Sequence, residues 1–389
     1  MIFPVEDFSA DAPKPTPLFA ASASASEANI WTSVNGWSVA RVFTSVEQEY
    51  VSAKSTAVIT DLGALSRYAV RGADAAEFLA RLVTAPASRL EPGESARGLI
   101  LDGDGQVIDL AEVSRLSTDL FLLTMPTPHA RRLQLAARGF EVEAQNISDD
   151  VAAIGVFGRE ATAVLRAAGL KTPDDSTAAS AVVRGVETAA RPIQFGALPG
   201  VEVVFPKDEA LTIWERLVRR SGVQPIGLDA LEILRIESGA PRAGVDFSSA
   251  EHAPIGAARR PIEIGLPHLA PLDRGWFNGR RGLRRDGDQQ KRRLVSLAID
   301  ADHAAPGALV YADGKPVGAL TSCAWSPAIK RVVAFAEVTP PSKEREIEIT
   351  VAGTAAGGGA VPARHFETAE NVLAMAYLSA KTPAKKAMG

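Results

Sequence analysis

The sequence predicts an α+β fold in which helices cover antiparallel sheets, followed by a strand-rich C-terminal part. Three observations carry this reading. A strand followed closely by a helix recurs, hairpin signals lie between these passages, and the chain beyond Arg293 is almost wholly β-prone. Antiparallel hairpins mixed with helices argue against a doubly wound parallel sheet, and no Gly-rich dinucleotide or P-loop fingerprint follows any strand.

Residues 1–30 are rich in Pro, Ala and Ser, with ASASASEA at 21–28, and are expected to form a loosely held arm, with order starting near Trp31. RYAVRGADAAEFLARLV (67–83) is a strand, Gly72, then a helix with Phe78, Leu79, Leu82 and Val83 as its apolar stripe. AAIGVFGREATAVLRAAGL (152–170) repeats the unit around Gly158, and VEVVFPKDEALTIWERLVRR (201–220) gives a third passage with Leu211, Trp214, Leu217 and Val218. Between them, LILDGDGQVIDLAEV (99–113) reads as a hairpin, because Gly and Asp accept the positive φ of a tight turn. LSTDLFLLTM (116–125) reads as a second one.

GLDALEILRIESG (227–239) predicts an amphipathic helix, and the basic run RRGLRRDGDQQKRR (280–293) a solvated linker. Beyond it, LVSLAID, GALVYADGKPVGALTSCAW, KRVVAFAEV and REIEITVAG predict a small barrel or sandwich, with a turn at 313–315. TAAGGGAVPA reads as a flexible loop and AKTPAKKAMG as a disordered end.

A chain of 389 residues fits two or three domains, and 46% apolar with 23% charged residues is ordinary for a globular protein. A net charge of −4 disfavours a nucleic-acid or membrane surface as partner. The single cysteine, Cys323, excludes an internal disulfide and any multi-cysteine metal cage, and no two of the five histidines have the short helical spacing of a zinc motif, so no metal is expected. The start carries early acids and prolines rather than a signal peptide, and no apolar run is long enough to span a bilayer; a cytoplasmic protein is expected.

No G-x-S-x-G elbow is present, and Cys323 in TSCAW has no nearby histidine in sequence to activate it. What stands out is Asp109. Strict alternation from Val107 puts Val107, Asp109 and Ala111 on one face, so the acid shares a face with apolar neighbours. The ordinary reading is an edge-strand carboxylate in water or paired with an arginine; the sharper one is a carboxylate held in a cleft against a cationic group. Arginines at 259–285 and Arg235 suit an anionic ligand by their planar fork, although Arg235 also fits an ion pair on a helix surface.

Six stretches in register resemble the aminomethyltransferase family, the T-protein of glycine cleavage, with its folate-dependent demethylase relatives. They are VRGADAAEFLARLVTAPASRLEPG, LILDGDGQVIDLAEVSRLSTDLFLLT, IGVFGREATAVL, GLDALEILRIESGAPRAGVD, LAPLDRGWFNGRRGLRR and VGALTSCAWSPAIKRVVAFAEV. The resemblance implies a three-part, cloverleaf-like folate-binding fold over 31–290, a C-terminal β-barrel over 291–372 and a tail over 373–389. It implies tetrahydrofolate as cofactor and transfer of a one-carbon unit onto a folate nitrogen, with a small-molecule methyl donor as partner. The family's catalytic acid falls on Asp109, where a carboxylate would contact the folate nitrogen region and stabilise positive charge as the carbon moves. Arg235, Asp61, Phe195, Leu198 and Trp276 fall in the implied folate site, Arg235 holding either the fold or the folate tail.

The departures are Leu198 where a pterin-binding glutamate would fall, Pro126 for an asparagine, Ala64 for a histidine and Gly256 for a glutamate. Each polar group left unmatched would cost about 1 to 3 kcal/mol of folate binding. The expected function is therefore a tetrahydrofolate-dependent methyltransferase or demethylase acting on an O-, N- or S-methyl donor. The alternatives are a non-catalytic or repurposed folate-binding relative, and the aminomethyltransferase of glycine cleavage itself.

Overall fold

The structure, a computed structural model, describes residues 12–170, 172, 179–183, 186–195, 198–286, 292–312, 315–339, 347–350 and 360–366. It divides into two units, Met1–Leu231 with Arg242–Gln289, and Glu232–Pro241 with Gln290–Gly389.

The first unit opens with β1 (Lys14–Pro15), α1 (Phe19–Ala25), β2 (Ile30–Val34) and β3 (Trp37–Val42), which form a three-stranded sheet in the order β1-β3-β2. Composition suggests a loose arm here, but residues 12–30 are built into the fold, and 1–11 lie outside the described residues. The reason is local. Alanine favours helix, and Leu18 and Ala21 bury in a core shared with Trp214 and Leu217, while Lys14 lies 3.8 Å over the Trp37 ring.

There follow α2 (Val46–Ser55), β4 (Val58–Asp61), β5 (Ser66–Arg71), α3 (Ala75–Leu82), β6 (Ser95–Leu101), β7 (Val107–Arg115), β8 (Leu120–Met125), α4 (Ala130–Ala136) and β9 (Glu143–Asn146). Next come β10 (Val151–Phe157), α5 (Ala161–Ala167), β11 (Ala179–Val183), β12 (Val186–Phe195), β13 (Leu198–Pro206), α6 (Ala210–Ser221) and β14 (Gln224–Pro225). Two sheets result, β6-β7-β8-β5-β9 and β11-β12-β13-β10-β4-β14. All strand pairs in them are antiparallel except β14 on β4.

The strand-Gly-helix unit has a steric basis. Gly72 (φ +136°) and Gly158 (φ +120°) turn the chain from strand to helix, and a Cβ there would fall 2.1 Å from the Glu141 carbonyl oxygen and 2.4 Å from that of Thr56. Each helix then covers its sheet. Phe78 and Leu79 of α3 pack on Ile100, Ala111 and Val113, and Val164 and Leu165 of α5 pack with Ile154 and Val203.

The expected 99–113 hairpin is β6 and β7. The second stretch differs: only Leu120–Met125 is strand, and it pairs back on β7. α7 (Leu228–Glu237) is the helix expected over 227–239, and the division between the units falls within it. The basic run at 280 is not a linker at its start. It forms α8 (Arg280–Asp286), whose Leu283 joins Leu99, Leu101, Val107 and Phe277 in a small core, and whose Arg285 pairs with Asp104 of the DGDG turn at 3.1 Å. Residues 287–291 lie outside the described residues.

The second unit contains a closed barrel in the order β15-β18-β17-β16-β19-β20. Its strands are β15 (Arg293–Ile299), β16 (Leu309–Ala312), β17 (Lys315–Ser326), β18 (Arg331–Val338), β19 (Ile347–Thr350) and β20 (Ala360–Phe366), with Val295, Leu297, Val310, Leu320, Val332 and Ala336 in its core. The choice left open between barrel and sandwich is thereby made. Of TAAGGGAVPA, residues 360–363 belong to β20 rather than to a loop. The rest of that stretch, Asp313 and Gly314 of the predicted turn and the 380–389 end lie outside the described residues. Among the described residues no helix is long and apolar enough to cross a membrane.

Candidate functional site

β7 leaves the DGDG turn and places Asp109 opposite Ile100 of β6, on the face that carries Ala111 and Val113 into the core beneath α3. Asp109 is 0% exposed. A buried carboxylate is tolerable only when donors surround it, and here they do. Oδ1 accepts the Leu110 N–H at 2.8 Å, and Oδ2 accepts the Thr127 N–H at 3.2 Å together with the Thr127 hydroxyl.

The register of the β7–β8 hairpin explains the meeting. Glu112 pairs with Thr124, and continuing that antiparallel pairing past the end of β8 brings Thr127 opposite Asp109. His129 follows at the start of α4, with Nε2 3.1 Å from Asp109 Oδ2 and 2.9 Å from Thr127 Oγ1. Its backbone N–H donates to the Tyr68 hydroxyl oxygen at 3.1 Å. Burial pushes the Tyr68 hydroxyl above its ordinary range, and that bond only partly offsets the shift.

The outer nitrogen of the imidazole meets a second acid. His129 Nδ1 lies 3.2 Å from Glu251 Oε2, and Arg132 holds Glu251 Oε1 at 3.2 Å. Glu251 reaches this place because the Ala250 N–H donates to the Val107 carbonyl at 2.9 Å, tying the 249–253 turn to the head of β7. Partial burial pushes the Glu251 carboxyl up, but Arg132 and the neighbouring His129 and His252 outweigh it and hold the group below the usual glutamate range. Glu251 also lines a groove of about 620 Å³ with aromatic walls from Phe78, Phe140 and Trp276 and cationic ones from Arg81, Arg131 and Arg132. The result is a line of polar groups from a sealed carboxylate to an open groove.

The residues singled out from sequence fare differently. Asp109, where the resemblance places the catalytic acid, is covered by Thr127 and His129. Trp276, 62% exposed, lines the groove beside Glu251. Phe195 and Leu198 are partners across β12 and β13, and the Phe195 ring packs 5.4 Å from Phe157. Asp61 is engaged on both oxygens, by the Thr16 hydroxyl at 2.5 Å and the Gly63 N–H at 2.7 Å, and burial pushes its carboxyl above the ordinary range despite those donors.

Arg235 lies in the second unit with a side chain 0% exposed. It bonds Glu232, the Ala240 carbonyl and the Ser322 hydroxyl, and its guanidinium sits 5.4 Å over Phe335. Burial, with Glu232 nearby, pushes the Cys323 thiol up to about 11, which disfavours its thiolate.

Thr127, His129, Glu251 and Arg132 were missed. The signal for the first two is the P-T-P-H stretch (126–129) that follows β8. For Glu251 no short-range signal existed.

Comparison with known proteins agrees with this architecture. The family model described as the GCVT N-terminal domain matches residues 20–260, and the one described as the glycine cleavage T-protein C-terminal barrel domain matches 292–368. A probable aminomethyltransferase of Haloarcula marismortui is 28% identical over 338 residues, covering 82% of this chain and 90% of that protein. The aminomethyltransferase of Geobacillus kaustophilus is 26% identical over 376 residues, covering 92% of this chain and 100% of its own length. The crystal structure of the glycine cleavage system aminomethyltransferase T from Bartonella henselae superposes with a TM-score of 0.76 at 22% identity, over 90% of this chain and 96% of that one, and so shares the fold. With matching models over both its N-terminal domain and its barrel, the chain belongs to the glycine cleavage T-protein, or aminomethyltransferase, family.

Proposed function

We propose that this protein moves a one-carbon group onto tetrahydrofolate, and that the group comes from a small O-, N- or S-methyl donor. The observation that carries the reading is the Asp109 carboxylate, which falls where the resemblance puts the family's catalytic acid and is fully buried among fixed donors. A negative charge held in a low-dielectric surround acts strongly on positive charge developing nearby, and needs no reorganisation as the carbon moves. Because Thr127 and His129 cover it, Asp109 acts from behind those side chains. The methyl donor is favoured by the departures at Leu198, Pro126, Ala64 and Gly256, which change polar positions of the family pattern and leave Asp109 in place.

A second reading, transfer of an aminomethyl group in glycine cleavage, is favoured by the names its relatives carry. One series of experiments separates the two. Calorimetric titration with tetrahydrofolate comes first, then a screen of methylated donors for 5-methyltetrahydrofolate, with an aminomethylated lipoyl carrier as the competing donor. Asp109→Asn should retain folate binding and lose transfer by about a hundredfold or more. Absence of folate binding at sub-millimolar concentration would overturn both readings.

A further inference from the structure

We propose that His129 is a proton relay that connects the sealed Asp109 carboxylate to the groove through Glu251. The proposal rests on the reading of Asp109 above, but its central claim concerns His129 and can be measured with neither folate nor donor present.

The imidazole is the bridge between an acid with no exposure and an acid that faces the groove. Side-chain exposure rises along the line from 0% at Asp109 to 6% at His129 and 31% at Glu251. Both ring nitrogens are within hydrogen-bonding distance of a carboxylate oxygen, 3.1 Å on the inner side and 3.2 Å on the outer. A neutral imidazole carries one N–H and can donate to one carboxylate only; its other nitrogen then presents a lone pair to an anion. The contact on that side is satisfied only by a further proton, on the ring or on the acid. A histidine buried for shape or for one hydrogen bond has no need of two acids. This one is built to hold a proton on either side.

The surroundings hold the ring in place and favour return of the outer acid to its carboxylate once its proton has passed inward. Tyr68 fixes the His129 backbone, and the Thr127 hydroxyl donates to Asp109 while its oxygen stands ready to accept from Nε2. Arg132 bonds Glu251, His252 adjoins it, and Arg131 lines the same groove, so cations flank the outer carboxylate.

The transfer balances with one proton. A hydronium ion in the groove gives its proton to Glu251 Oε2 and becomes water. The Glu251 O–H bond then breaks as Nδ1–H forms, and Nε2–H breaks as an O–H forms on Asp109 Oδ2. Asp109 ends as the neutral acid, Glu251 as the carboxylate and His129 as the Nδ1–H tautomer. The reverse sequence returns the proton to water. Without the relay, a carboxylate covered by Thr127 and His129 exchanges protons only when one of them swings aside.

The test follows the Asp109 carboxyl by infrared difference spectroscopy after a pH jump on the full chain, with Asp109→Asn assigning the band. Nitrogen NMR of labelled histidine reports which ring nitrogen carries the proton. In the wild type, Asp109 should equilibrate rapidly and both nitrogens should show averaged shifts. Glu251→Gln, a change on a surface turn, and His129→Asn should each slow Asp109 equilibration by at least about tenfold, and Glu251→Gln should freeze the ring as one tautomer. A purely structural His129 would leave the Glu251→Gln variant with wild-type exchange and tautomer, and that outcome overturns the proposal, as does an Asp109 that never protonates while the protein stays folded. Should the relay hold and tetrahydrofolate fail to bind, the proposed function has failed and the relay has not.

Discussion

At the scale of single residues, two buried carboxylates of this chain are handled in opposite ways. Glu202 sits between two guanidinium groups, whereas Asp109 has backbone amides, a hydroxyl and an imidazole. Arginines on both sides hold the Glu202 carboxyl well below its ordinary range, whereas the donors around Asp109 are neutral amides and a hydroxyl beside an imidazole. Thr127→Val keeps the side-chain shape and removes the hydroxyl that donates to Asp109. It should cost about 1.5 to 3 kcal/mol of stability in a denaturant titration, the usual worth of a hydrogen bond to a charged group. No loss would mean that the hydroxyl donates elsewhere. Asp109 itself was legible as the residue of interest from its position after Val107 and Ile108 and from the family-like register around it. Its enclosure was not legible, since the two groups that cover it come from beyond the next strand.

At the scale of elements, the strand-Gly-helix units are the best-written part of the chain. Three helices expected after β-prone runs appear in the structure as α3, α5 and α6 on β5, β10 and β13. In α6, however, Leu211 of the expected stripe is 54% exposed, and Ile213 is buried beside Trp214 and Leu217 instead. Gly158→Ala should destabilise by about 1 to 3 kcal/mol through backbone strain alone, and by more because its Cβ would meet the Thr56 carbonyl. Gly103→Ala is the control: nothing lies within 4 Å of its Cβ, and its denaturation midpoint should stay within about 0.5 kcal/mol of wild type. Equal losses in the two variants would remove the steric account. By contrast α8 was hidden. Its arginines dominate the composition, and only Leu283 of its turn enters the core, so it shows no periodicity that would set it apart from a solvated run.

At the scale of the molecule, the two large sheets of the first unit are tied by a buried chain of charges. Arg67 on β5 bonds Glu202 on β13 at 2.7 Å, Glu202 bonds Arg191 on β12 at 2.5 Å, and Arg191 pairs with Glu112 on β7. Burial alone would push Glu202 up, yet Arg191 and Arg67 outweigh it and hold the carboxyl at about 2 against an ordinary 4.5. Its folded value is depressed, so its contribution to stability is complete above pH 4.5 and is lost as pH falls towards 2. Glu202→Gln should therefore cost about 3 to 5 kcal/mol at neutral pH, because it strands two buried guanidinium groups, and should flatten the loss of stability with acid. A variant as acid-sensitive as wild type would show that other groups set that slope.

The sequence by itself determined the α+β class, the strand-helix units, the hairpin that carries Asp109, the β-rich C-terminal part and the family-like register. These are properties of short-range periodicity and turn chemistry, which a chain expresses over ten or twenty residues. Only the tertiary structure decided what surrounds the acid. Sheet register set Thr127 and His129 against Asp109, the bond from Ala250 to Val107 helped bring Glu251 to a histidine 122 positions away, and Asp61 and Arg235 found their hydrogen-bond partners at residues far off in sequence. Side chains so distant in sequence leave no periodic trace of one another, and they meet only once the sheets have formed.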